Sequence, residues 1–393
     1  MRSTHGRATS VTLSALAALT LLVAGCGPGR PAAGRHGAVS GQPARAADSG
    51  GFTLLATGDV LPHAEIIEQA RKDAHGRGHD FRPMLAGVRP QVSGADLAIC
   101  HMETVYGADG GPFTGYPVFQ SPPQVAAALK ATGYDSCSTA SNHTLDAGAD
   151  GVRRTLDALD AAGVRHAGSA RSAAEAARPT LLKAGRATVA QLAYTYGTNK
   201  TAAPEGQPWT VNLIDRDRIL ADARAARRAG ADVVVVSLHW GTEWQPEPDK
   251  QQRSLARSLT AARTGERPGI DLIIGTHAHV PQAYEKVNGV WVVYGMGDQL
   301  AGYMYNTQGA MDPRGNQSSM ARFTFAPPEA AGGRWNVTKA EFTPQLTDVD
   351  RAFRVVPLTA AAPPGSAYAR ARDAVREAVL SRGAAADGLT MTG

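Results

Sequence analysis

The sequence has 393 residues, 43% of them apolar and 19% charged, which describes a globular chain with a sizeable core and disorder confined to its ends. Its formal charge of +5 is thinly spread: without Arg2 and Arg7 it is +3, and without Arg30, Arg35, Arg45 and Asp48 it is near +1. No concentrated basic face remains, which excludes a nucleic-acid-binding protein.

Residues 1–7 are basic and residues 11–24 form an apolar run of the length of a secretory signal rather than a membrane span. The run ends in Val23-Ala24-Gly25-Cys26, small residues followed by a thiol, which resembles a lipoprotein cleavage box. The expectation is a signal peptide over 1–25, lipidation at Cys26 and an extracytoplasmic, membrane-anchored protein. Residues 26–51, rich in Gly, Pro, Ala and Ser, read as a flexible tether. No later segment reaches transmembrane length.

From Phe52 onward short apolar strands alternate with alanine-rich helices, the pattern of an α/β fold whose strands are buried on both faces. Strands are predicted at 52–57, 97–100, 134–139, 188–193, 232–238, 271–275 and 290–294. Helices are predicted at 62–71, 122–131, 148–161, 215–229 and 250–263. Further strands at 320–325, 335–342 and 352–356 are expected to complete the second sheet, with a terminal helix over 365–378. The domain is placed at 52–360 and a C-terminal helix and tail at 361–393.

Polar residues cluster where these strands stop, the place at which open α/β sheets bind ligands. Gly58-Asp59 follows the first strand, His101-Met102-Glu103 the second and Ser141-Asn142-His143 the third. His239-Trp240 follows the fifth and His277-Ala278-His279 the sixth. Singly, Asp59 reads as a turn former or helix cap, Glu103 as a solvated loop acid and His239 as a packed histidine, and Asn142-His143 reads equally as a capping turn; Gly275-Thr276-His277-Ala278-His279 is the most specific. Together, mixed carboxylate, amide and imidazole donors suit one or two divalent ions of the Mn, Fe, Zn or Mg group. Cys100 and Cys137, at the ends of successive strands, are either a disulfide or two buried thiols.

The motifs Gly58-Asp59-Val60, Met102-Glu103, Ser141-Asn142-His143-Thr144-Leu145-Asp146-Ala147-Gly148, His239-Trp240-Gly241 and Gly275-Thr276-His277-Ala278-His279 resemble the CapA branch of the calcineurin-like metallophosphoesterases. Tyr294-Gly295-Met296-Gly297-Asp298 extends the resemblance, which runs from about Phe52 to about Tyr303. It implies a four-layer α-β-β-α sandwich with a one- or two-metal centre, in proteins associated with poly-γ-glutamate capsule synthesis or export. By the same resemblance Asp59 is a ligand of a first metal, Glu103 a bridging carboxylate, and Asn142, His239 and His277 ligands of a second metal. His279 returns to the first metal, and His143 is the general acid or neutralises developing charge.

Two departures stand out. Leu61 occupies the position of a superfamily histidine, with His63 two residues further on. His101 and Asp298 replace asparagines, and each is an extra ligand, an acid–base group or a structural substitution. Two functions follow: a metal-dependent hydrolase or transferase acting on an envelope polymer or its precursor, or a non-catalytic polymer-binding or assembly factor. The partners implied are the polymer and a membrane synthase complex.

Overall fold

The computed structural model describes residues 50–392 apart from positions 266, 331 and 360. The signal segment, Cys26 and nearly all of the tether lie outside the described residues. In the first sheet β1 (Phe52–Leu61), β2 (Leu97–Met102), β3 (Ser136–Ser138) and β4 (Arg165–Ala167) run parallel to one another. The second is built on β5 (Thr180–Ala184), β6 (Ala187–Thr195) and β7 (Val233–His239). Beyond a two-residue hairpin, β8 (Arg263–Thr264) with β9 (Arg267–Pro268), it is completed by β10 (Leu272–Thr276), β11 (Tyr284–Val287) and β12 (Val290–Val293). Its order is β11-β12-β10-β7-β6-β5.

The period-2 alternation of strand side chains sorts these residues into layers. Leu54 and Ala56 of β1, Val233 and Val235 of β7, and Leu272 and Ile274 of β10 meet in the core between the sheets. Leu55 faces the other way and packs with Val125 and Leu129 of helix Gln124–Thr132 and with Val152, Leu156 and Leu159 of helix Gly148–Ala162. On the far side Val234, Val236 and Ile273 pack with Ile219 and Ala223 of helix Arg216–Arg228 and with Leu259 of helix Lys250–Ala261. The result is a four-layer α-β-β-α sandwich. Each fully buried Val, Leu or Ile contributes roughly 1.5–3 kcal/mol.

The last third of the chain corrects one expectation. β13 (Asp298–Ala301), β14 (Gln317–Ala326), β15 (Asn336–Asp348), β16 (Arg354–Pro357) and β17 (Leu389–Met391) join the first sheet, not the second. β14 pairs antiparallel with Phe52–Ala56 along the edge of β1 that β2 leaves free, and β15 and β16 continue outward. β13 pairs with the C-terminal end of the same edge, from Asp59 onward. Helix Ala367–Leu380 buries Val375 and Val379 in the inter-sheet core, and β17 pairs with β15. Among the described residues no helix is long and apolar enough to cross a membrane.

Candidate metal centre

The carboxyl ends of both sheets meet at one edge because glycines let backbone touch backbone there. A Cβ on Gly58 would lie 1.7 Å from the Gly297 carbonyl oxygen, and one on Gly275 would lie 2.0 Å from that of Tyr294. β1 extends past its expected end, so Asp59 sits within the strand. It is in register with His101 on β2 at one side and with Asp298 on β13 at the other. Glu103 follows β2 directly, His239 is the last residue of β7, and His277 and His279 follow β10. All of these side chains are buried.

Local chemistry fixes each loop. Ser141 Oγ donates to the Glu103 carbonyl at 2.5 Å, and the Ser141 amide donates to Thr144 Oγ1 at 2.7 Å. This ties the Asn142-His143 turn to the end of β2. The disulfide between Cys100 and Cys137 joins β2 to β3 just before His101 and Ser138. His277 and His279 take positive φ values, 94° and 57°, a conformation that costs a non-glycine residue of order 1 kcal/mol or more and concentrates at functional sites. The His277 amide gains a hydrogen bond to Asp59 Oδ2 at 3.1 Å.

The side chains form three sets whose ligand atoms lie within 4.8 Å of one another: Asp59, His101 and His239; Asp59, Glu103, His279 and Asp298; and Glu243, His277 and His279. Asn142 Oδ1 lies 2.9 Å from His239 Nε2, and Glu103 Oε1 lies 3.8 Å from the same nitrogen. His279 Nδ1 lies 3.0 Å from Asp298 Oδ1. His143 stands apart from these sets. Its Nδ1 lies 2.7 Å from Asp146 Oδ2, which also accepts the Phe119 amide at 2.7 Å, and its ring meets Phe119 edge-on. His63 belongs to none of these sets; its Nδ1 faces the Leu61 carbonyl and the Gly302 amide, and its ring packs on Phe119.

Sequence reasoning missed three residues at this edge. Glu243 comes back toward His277 and His279 after Gly241, at φ 93°, reverses the chain behind β7. Tyr196, 45% exposed, lies over His277 with ring centroids 4.5 Å apart, and Trp244 flanks His279 at 6.1 Å. The one available signal was the acid four residues beyond His239, on the far side of a glycine.

The electrostatics are those of a site built for a cation. Burial pushes Asp59 up to about 8, with Asp298 adding to the rise and His279 and the His277 amide opposing it. Burial, reinforced by Asp59, holds Glu103 well above its ordinary value, and burial raises Asp298 against the pull of His279. The His101 imidazole is driven by burial down to about 3, while burial and neighbouring imidazoles hold His239 and His277 well below the usual range. Burial alone would lower His279 as well, but Asp298, Glu103 and Asp59 outweigh it and hold that ring well above its ordinary value. Asp59 Oδ1, both Glu103 oxygens, Asp298 Oδ2, His101 Nε2 and His277 Nδ1 are buried without a hydrogen-bond partner. Orphaned acceptors in this number are costly, and a divalent cation satisfies carboxylate and imidazole lone pairs together. The donor set therefore fits a metal.

Residues 53–303 match the family model described as bacterial capsule synthesis protein PGA_cap. The PGA biosynthesis protein CapA of Bacillus subtilis is 30% identical over 171 residues, which span 43% of this chain and 43% of that protein. A probable polyglutamine synthesis accessory protein of Mycobacterium tuberculosis is 30% identical over 286 residues, 65% of this chain and 73% of that protein. Among solved structures, a calcineurin-like phosphoesterase from Bacillus subtilis is 15% identical with a TM-score of 0.41, covering 75% of this chain and 90% of that one. An NAD nucleotidase of Haemophilus influenzae is 13% identical with a TM-score of 0.42, covering 87% and 64%.

Proposed function

The chain belongs to the bacterial capsule synthesis protein PGA_cap family, and we propose that it is an extracytoplasmic accessory protein of envelope-polymer synthesis or export carrying a metal-dependent hydrolase or transferase centre. The polymer is of the poly-γ-glutamate kind or its precursor, and a membrane synthase complex is the partner. A lipid on Cys26 would hold the protein at the membrane. The disulfide supports that placement, because such bonds persist in oxidising compartments.

The observation that carries the catalytic reading is the group of buried carboxylate and imidazole atoms left without partners where the two sheets meet. Asp59, Glu103, Asn142, His239, His277 and His279 would hold one or two divalent ions, which supply Lewis acidity and an activated water. His143, its Nδ1 fixed by Asp146, keeps Nε2 free to hold or give a proton. Tyr196 offers an exposed ring at the mouth against which a substrate can lie.

The test is metal analysis of the purified chain followed by turnover of phosphomonoester, phosphodiester and γ-glutamyl substrates. The expected result is bound metal, turnover of one class, and a loss of about 100-fold in His143→Asn at unchanged metal content. Leu61, standing where the superfamily supplies an imidazole, favours the alternative of a non-catalytic polymer-binding factor. Tight metal with no turnover of any class would establish that alternative.

A further inference from the structure

We infer that the cleft at the β4 edge of the sandwich is a second binding site, which takes a small ligand carrying a carboxylate beside an amide carbonyl. The cleft holds about 550 Å³, within the range of small-molecule sites. It is lined by most of the segment 168–179, which joins β4 to β5, by Gln191–Tyr194 of β6, and by Asp222 and Ala225 of helix Arg216–Arg228. None of the lining residues belongs to the metal-ligand sets, so the cleft does not depend on the reading of that centre.

Sheet topology leaves the space open. β5 pairs with Ala187–Gln191 of β6 and stops there. Beyond Gln191 no strand continues the second sheet on that side until the isolated bridge between Thr195 and Leu213. The connecting segment covers this stretch of edge instead. Its first residue, Gly168, has φ 118°, and a Cβ there would lie 2.7 Å from that of Ala140 and 3.0 Å from that of Ala193. A glycine thus lets the segment press between the sheets where it starts, and the remainder walls the cleft.

The free polar groups of the cleft are donors. Gln191 is 1% exposed; its Oε1 accepts from Ser136 Oγ at 2.5 Å, and its Nε2 is buried without a partner. A buried amide group left unpaired costs about 1–3 kcal/mol, and a ligand carbonyl would satisfy it. Arg165 and Arg178 are exposed, and among the described residues their guanidinium groups have no ion pair or hydrogen bond. The carboxylates of the lining are already engaged: Asp160 and Glu175 hold Arg171 at 2.7 and 2.5 Å, and Asp222 accepts from the Tyr194 hydroxyl at 2.8 Å. What stays unmatched is one amide N–H group and two guanidinium forks, whose planar geometry suits a carboxylate. A glutamyl unit in amide linkage presents the complementary acceptors. Its source is either the acidic polymer of the proposed function or a free acylated amino acid.

The cleft adjoins the turn that carries His143. The Thr139 amide donates to the Ala167 carbonyl at 2.8 Å, and its hydroxyl meets Ser169 Oγ at 2.7 Å. The Thr139 carbonyl accepts from Thr144 Oγ1 at 2.9 Å, and that oxygen anchors the Ser141 amide. An acidic chain held in the cleft would therefore lie beside the metal centre.

Isothermal titration of purified full-length protein with γ-glutamylglutamate, its uncharged all-amide analogue and inorganic phosphate tests the assignment. The dipeptide is expected to bind once per chain, equally well to metal-loaded and chelator-stripped protein. The analogue and phosphate should each bind about 10-fold more weakly or worse. Arg165→Ala and Arg178→Ala, both exposed positions outside the metal centre, should each weaken the dipeptide about 10-fold at unchanged metal content. Gln191→Leu should weaken it likewise, and the two arginine variants decide if Gln191→Leu fails to fold. Competition by poly-γ-glutamate would identify the polymer as the source of the ligand, and failure to compete would identify the free acylated amino acid; the site stands in both cases. Absence of dipeptide binding, binding lost on chelation, phosphate binding as tightly as the dipeptide, or wild-type affinity in both arginine variants would overturn the inference while leaving the metal centre untouched.

Discussion

Without a cation, the centre confines three carboxylates away from water, and the metal-free protein is expected to lose stability as pH rises from 6.5 to 8. Asp59 retains its proton in the folded chain up to about 8, whereas in the unfolded chain it releases it near its ordinary value of 3.8. Between those limits the folded state binds the extra proton, so each increment of pH favours unfolding. Below 6.5 an opposing effect enters, because His63, His101, His239 and His277 are held below their ordinary 6.5 and take protons only when unfolded. That contribution is still at half strength at pH 6.5 and fades by about pH 7.5, so it offsets part of the loss in the lower half of the window. Across it Asp59 alone accounts for about 2 kcal/mol, at about 1.4 kcal/mol per pH unit. Glu103 and His279, both raised, act in the same direction. For a domain of this size the Asp59 share corresponds to a fall in Tm of roughly 3 °C. Urea unfolding of chelator-stripped protein at pH 6.5 and 8 measures the loss, with metal-loaded protein and stripped Asp59→Asn as comparisons. Loading should remove the pH dependence, and Asp59→Asn should reduce it by about one proton. A metal-free wild type and a stripped Asp59→Asn with the same pH dependence across this window would refute the reasoning.

Arg227 pairs with Asp271 where both are buried, and it also donates to the Asp232 carbonyl at 2.6 Å. Arg227→Ala leaves the buried carboxylate with the Val234 amide and the more distant charge of Arg334, and should destabilise the protein by about 3–5 kcal/mol. A shift in the urea midpoint worth less than ~1 kcal/mol would show the pair to be dispensable. Cys26→Ala should release the protein from membranes in cell fractionation. Wild-type protein found wholly soluble, with an unmodified N-terminus elsewhere, would exclude the anchor.

The layering was legible because strand alternation is a local signal. Leu54 and Leu55 already point to opposite faces by their spacing, whichever strands lie beside them. The placement of 317–357 was not legible, since pairing of β14 with β1 joins residues some 270 positions apart and nothing in either segment names its partner. At the site, the motif order marked the strand ends that the fold brings together. Register was what the motifs could not carry: His101 and Asp298 became neighbours of Asp59 only once β2 and β13 were aligned against β1. Glu243 escaped because an acid in a loop has no periodicity, and its return to the site depends on the backbone at Gly241.

The contact at Gly58 bears on how the centre would tell one ion from another. A methyl group there would overlap the Gly297 carbonyl, and one at Gly275 would overlap that of Tyr294. The spacing of the strands around Asp59 is therefore set by main chain against main chain, and the ligands have no say in it. Crowded carboxylates cannot separate by letting the strands drift, so their burial, and after it their mutual repulsion, appears as retained protons instead of displaced atoms. An arriving cation meets a coordination shell already standing. Ions of different radius would then be sorted by how well they fill a rigid gap, and a mismatched ion would gain nothing from a gap that does not yield.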